Sequence, residues 1–97
     1  MSDKIDVENI SHPGKIYRVD RAKYDEMRDV FLSVLTAEPP GMTPAQIIDA
    51  VRPLMSQDLF PGGETCGWWV KCVQLDLEAK GLIARAPKSP VRLHRVH

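Results

Sequence analysis

Cys66-Gly-Trp-Trp-Val-Lys-Cys-Val-Gln-Leu-Asp-Leu-Glu-Ala-Lys-Gly-Leu-Ile83 holds both tryptophans and both cysteines of the chain. At about 100° per residue, Trp69, Val70, Val73 and Leu77 fall on one apolar stripe. Trp68, Cys72, Leu75 and Ala79 fall on a second, and Gly67, Lys71, Gln74 and Glu78 form the polar strip between them. This spacing is helical, with Thr65 placed to cap the start and Gly81 placed at the C′ position, where a helix turns left-handed and stops. Leu82–Ala86 and Val91–Val96 then read as two strands. Pro87-Lys-Ser-Pro90 joins them, its prolines suited to turn or edge positions.

Working back from this stretch, Ser56–Thr65 is a long connection whose Phe60 can anchor it. Thr43-Pro-Ala-Gln46 opens a helix with a capping box and a proline at the tolerated first position. Its apolar stripe is Ile47, Val51 and Leu54, with Ile48 beside it, and Pro53 ends or kinks it near Arg52. Asp20 caps an earlier helix over Arg21–Leu35, whose Tyr24, Met27, Phe31, Val34 and Leu35 share one face. Glu38-Pro-Pro-Gly41 stops that helix. Lys15–Val19 alternates weakly, as a short strand or an extended arm. Residues 1–11 are polar and acidic and read as a flexible N-terminal tail, which leaves 12–97 as a single domain.

The expected fold is therefore α+β and mainly α. Its order is winged helix-turn-helix-like: three helices followed by a C-terminal β-hairpin wing, with a short extended segment at Gly41-Met42 as a third strand. The His-Pro-Gly-Lys turn at 12–15, the Glu-Pro-Pro-Gly run at 38–41, Phe-Pro-Gly-Gly at 60–63, Gly-Trp-Trp-Val-Lys at 67–71 and Val-Gln-Leu-Asp-Leu-Glu-Ala-Lys-Gly at 73–81 resemble a family of small, functionally uncharacterised bacterial proteins with a winged-helix-like fold. The likeness spans residues 12–85. It implies a fold and brings no assigned activity or site residues.

At 97 residues, 43% hydrophobic and 27% charged, the chain has the composition of one globular domain and not of a disordered segment. No apolar run is long enough to span a membrane, and the N-terminus lacks the shape of a signal peptide, so the expectation is a cytoplasmic protein without membrane contact. Two cysteines six residues apart on one helix point in different directions, which fits reduced thiols better than a disulfide. The net charge is zero, yet Cys66–His97 carries six basic residues against two acidic, and the rest of the chain seven against eleven.

Three functional readings follow. In the first, the third helix and basic wing contact double-stranded DNA through Lys71 and Gln74 on the helix and Arg85, Lys88, Arg92 and Arg95 on the wing. The front of the helix, Cys-Gly-Trp-Trp-Val, is unlike a base-reading surface, and a basic hairpin is more often simply solvated. In the second, the chain is a homodimerisation or protein-interaction module using the face of Trp68, Cys72, Leu75 and Ala79. That face needs cover from the arm Ile16-Tyr17-Val19 or from a partner. The third, an enzyme using Cys66, is the weakest, because no His or acid stands beside it in a telling pattern. The His residues show no metal-ligand spacing, and the Phe60–Gly63 loop lacks the lysine and hydroxyl of a phosphate-binding loop. No catalytic activity, metal, cofactor or small-molecule ligand is expected. A nucleic-acid-binding or regulatory module is the leading expectation and a protein-interaction module the alternative.

Overall fold

The computed structural model describes residues 3–87 and 90–96. Within them the chain is a small α+β protein with three helices and two small antiparallel sheets. The order is β1 (Lys4–Glu8), β2 (Ile16–Asp20), α1 (Arg21–Val34), α2 (Pro44–Val51), α3 (Cys66–Ala79), β3 (Ile83–Arg85) and β4 (Leu93–Arg95). Short 3-10 turns follow α2 at Arg52–Leu54 and precede α3 at Pro61–Gly63.

Local chemistry sets the helix boundaries. The Asp20 carboxylate accepts the Lys23 N–H and so satisfies one of the unpaired donors at the start of α1. Thr43 and Gln46 exchange side chain-to-backbone hydrogen bonds in a complete capping box at α2. Gly81, at φ +76°, ends α3; the Leu82 N–H reaches the Leu77 carbonyl and the Gly81 N–H reaches Glu78, the paired bonds of a Schellman turn. Thr65 differs from its expected role. It stands at the cap position of α3 in a left-handed conformation, and its hydroxyl donates to the Glu64 carbonyl instead of capping the helix.

The core lies where α1, α2 and α3 meet. Tyr24, Met27 and Phe31 face Ile47 and Val51 and the α3 stripe Trp69, Val70, Val73 and Leu77. Phe60 is fully buried and fixes the long connection ahead of α3, while Ile83 and Leu93 close the core from the C-terminal sheet. Leu54 was expected inside and is instead 57% exposed, because the chain leaves the α2 stripe at Arg52 and tightens into a 3-10 turn.

Two differences concern the strands. Residues 4–8 are not a loose tail: β1 pairs antiparallel with β2, with Ile5 opposite Val19 and Val7 opposite Tyr17, and Val7 is buried. Lys-Ile-Asp-Val-Glu does alternate, and its two apolar residues point to the same face. The C-terminal pair is shorter than expected, with Ile83 opposite Arg95 and Arg85 opposite Leu93. Met42 forms an isolated bridge to Leu93, exchanging both backbone hydrogen bonds, 2.9 and 2.8 Å.

That bridge depends on Gly41. Its φ is +92°, and a Cβ there would run into the Leu93 carbonyl. Gly14 has a similar φ of +89° but open space around it. Gly41→Ala is therefore expected to cost about 3 kcal/mol or more through combined strain and overpacking, and Gly14→Ala about 1 kcal/mol through backbone conformation alone. Urea unfolding midpoints of the two variants check this; equal costs would mean that β4 shifts freely away from the Met42 segment.

Candidate interaction groove

The N-terminal hairpin lies along one flank of α3, and one carboxylate holds it there. Asp76, in the third turn of α3, is fully buried. It accepts the Glu8 N–H of β1 at 2.8 Å, the Lys80 ammonium at 2.7 Å to each oxygen, and the Tyr24 hydroxyl of α1. A buried carboxylate is tolerated only when its lone pairs are occupied. Here donors from two other elements, β1 and α1, and from the end of its own helix occupy them. The Tyr24 hydroxyl is pushed to ionise well above its ordinary range by burial, and then by the hydrogen bond and negative charge of Asp76. A further backbone bond, Ile10 N–H to the Leu75 carbonyl at 3.4 Å, places the turn after β1 beside α3.

Between hairpin and helix runs a groove of about 440 Å³. Val7, Tyr17 and Val19 form its hairpin side, and Trp68, Cys72 and Leu75 its helix side; Lys71, Arg18, His12, Glu8 and Asn9 stand at its margin. The hairpin half-covers Cys72 and Leu75 but leaves Trp68 at 59% exposure and Tyr17 at 41%. The exposed indole is braced from within. Its ring meets Trp69 edge-on with centroids 4.9 Å apart, and Trp69 meets the buried Phe60 edge-on at 6.3 Å. Lys71, one turn beyond Trp68, is exposed and makes no ion pair with any described residue. On its other flank lies a second concavity, which shares Asn9, His12, Lys71 and Leu75 and extends to Ile48, Gln74, Arg85 and Val91.

The residues expected at a DNA interface are not gathered on one open surface. Gln74 is only 5% exposed, and its amide faces the Glu78 carboxylate at 3.4 Å. Glu78, expected on the solvent strip, is buried because the Arg85 guanidinium folds back on it with two bonds of 3.0 and 3.2 Å. Arg85 is thereby engaged inside the fold. Arg95 donates its Nε–H to the Leu35 carbonyl at 2.7 Å. Lys71 is exposed, Arg92 is half-buried, and Lys88 lies outside the described residues. Of the interaction face, Trp68, Cys72 and Leu75 line one groove, while Ala79 is exposed farther along α3, near the Glu8–Lys15 turn. Tyr17 and Val19 of the arm face them; Ile16 points away from the groove, on the opposite side of β2.

Both cysteines are free. Cys66 is buried, and burial raises its pKa, opposed by the charge of Arg52 and reinforced by Glu26. Cys72, half-buried under the hairpin, is pushed up to about 11 by burial and by the nearby Asp76 charge. A nucleophilic thiol needs the opposite shift. No group of three His, Cys, Asp or Glu side chains among the described residues could hold a metal ion, and no described helix is long and apolar enough to cross a membrane.

The chain belongs to a family of unknown function (DUF6958). That family's model matches residues 4–93, from the first strand of the hairpin to the start of β4. No curated protein and no solved structure matches the chain. The matched span takes in both walls of the groove and Asp76.

The thiol shift predicts two results. At pH 8, iodoacetamide is expected to modify Cys72 about two orders of magnitude more slowly than free cysteine, because the thiolate population falls tenfold per unit of pKa. Modification at the free-thiol rate would mean the hairpin does not cover it. The second concerns stability. The unfolded thiol ionises near its ordinary value of about 9 and the native one near about 11, so the native state binds more protons in that window. Stability is expected to fall as pH rises through it, with Tyr24 adding to the loss above about 10. Urea midpoints between neutral pH and pH 11 measure this, and a flat profile would contradict it.

Proposed function

We propose that this protein is a non-catalytic docking module on a winged-helix-like scaffold, and that it holds a segment of a protein partner in the groove between α3 and the N-terminal hairpin. Three helices, a C-terminal strand pair and the Met42–Leu93 bridge support the winged-helix reading. The N-terminal hairpin is an addition to that plan, laid against the flank of the third helix. The single observation that carries the function is Trp68. A large aromatic side chain stands mostly in water at an apolar groove, and burying such a side chain is worth about 1.5–3 kcal/mol. Anchors of this kind dominate protein interfaces.

The duplex-DNA reading draws less support. Eight of the fourteen α3 residues are buried, and a helix enclosed to that degree offers little to a major groove. Gln74 and Arg85 already serve Glu78. The net charge of zero gives no long-range attraction to phosphate. Two free thiols suit a cytoplasmic setting, where we place the protein.

Affinity capture from extract of the source cells, with three baits, tests this reading. Trp68→Ala is expected to keep its fold, losing under about 1 kcal/mol because the side chain is mostly exposed. A protein retained by the wild-type chain and by Arg92→Ala, but lost with Trp68→Ala, is the expected result. Retention of nuclease-sensitive nucleic acid that is lost with Arg92→Ala and kept by Trp68→Ala would overturn it.

A further inference from the structure

The groove also has a charge pattern, and that pattern restricts what can sit in it. We propose that the docked segment pairs a large apolar side chain with a carboxylate two residues away, in an extended conformation across α3. This rests on the docking reading above and names the chemistry of its partner.

The argument starts from Lys71. It follows Trp68 by three residues on the helix, which brings the two side chains about 5–6 Å apart at their Cβ atoms. An extended chain rises about 3.3 Å per residue and returns to the same face every second residue, about 6.6 Å on. A residue seated against Trp68 and Tyr17 therefore places its second neighbour over the Lys71 ammonium. The groove beneath is apolar, formed by Val7, Val19, Cys72 and Leu75, and accepts the apolar member of the pair. Lys71 has no ion-pair partner among the described residues, so a carboxylate arriving there displaces no internal acid. Arg18, on the hairpin side, already pairs with Asp6 at 3.3 Å, and both are largely exposed. Among the described lining residues Glu8 is the one acid and Arg18 is balanced by Asp6, so the groove's cation without an ion pair is Lys71, and a basic residue placed over it meets like charge. Beyond Lys71 the second concavity continues across α3 and gives the rest of an extended segment room to lie.

The same geometry sets the size of the effect. Lys71 is exposed, and an exposed ion pair changes affinity about two- to fivefold, while the apolar contact supplies most of the binding. The preference for an acid is a modest specificity term added to the Trp68 anchor.

The test uses the full chain labelled with nitrogen-15 and three blocked peptides: acetyl-Ser-Phe-Ser-Glu-Ser-amide and its versions with Gln or Lys in place of Glu. Shifts of the Trp68 indole N–H and of the Tyr17 and Lys71 amides are followed to millimolar peptide. The expected result is binding of the Glu peptide about two- to fivefold tighter than the Gln peptide, with the Lys peptide weakest. Lys71→Gln should erase the Glu-over-Gln difference, and Trp68→Ala should remove all three responses. Equal affinity for the Glu and Gln peptides would overturn the acid preference and leave the docking reading intact. Silence of Trp68 toward every peptide would overturn both. A short thymidine oligonucleotide that moves the same resonances at lower concentration than any peptide would replace the protein partner with single-stranded nucleic acid.

Discussion

A single buried carboxylate, Asp76, ties three parts of the chain together at one point. It sits in the later part of α3 and takes bonds from α1 through Tyr24, from β1 through the Glu8 N–H, and from Lys80 at the end of its own helix. A two-stranded hairpin is marginal by itself in water. This one gains its position by burying Val7 and by donating a backbone N–H to a charge, a bond roughly twice as strong as one between neutral groups. The low dielectric around Asp76 works both ways, strengthening the bonds while they are made and making the bare charge very costly if they are lost. The hairpin and the three-helix core are thus coupled through Asp76 together with the burial of Val7.

The groove follows from where that lock lies. Asp76 is in the third turn of α3 and Trp68 in the first, so the hairpin is held against the later part of the helix and its cover thins toward the start. Cys72 and Leu75 are half-covered; Trp68 is left in water. Phe60 and Trp69 then keep the exposed indole from folding inward, since both ring positions behind it are already filled. Glu78 with Arg85 makes a second, lesser lock on the opposite side, joining α3 to β3. Two of α3's three acidic or amide side chains therefore bind the fold itself together, and the third, Gln74, leans on one of them.

The elements were legible in the sequence where the information is local. The capping box at Thr43 and Gln46, the Asp20 cap, the Gly81 stop and the core stripes of α1 and α3 depend on neighbours within one or two turns, and periodicity reads them directly. Residues 4–8 alternate as plainly as 15–19, but five residues among acidic neighbours carry weak weight until a partner strand is known. Gln74 and Glu78, on the polar strip by spacing, are buried for a related reason. Helical spacing reports which residues share a face; it is silent on what a distant strand lays over that face, and Arg85 and the Asn9–His12 turn both do so. Leu54 shows the same limit at a helix end, where one 3-10 turn moves a residue off its stripe. For the candidate site, the grouping of Trp68, Cys72 and Leu75 beside Tyr17 and Val19 came from pattern alone. The role of Asp76 was invisible, because a lone acid inside an apolar stripe reads as solvent-facing until its donors are placed.

The most direct test of the account is amide hydrogen exchange across the hairpin in the wild-type chain and in Asp76→Asn. If Asp76 is the lock, the Glu8 amide is protected in the wild type despite its exposed side chain. In the variant the amides of β1 and β2 exchange early, while those of α1 and α3 stay protected. Unchanged protection of the hairpin in Asp76→Asn would contradict the account, and show that the apolar contacts of Val7 and Val19 hold the hairpin against α3 without the buried charge.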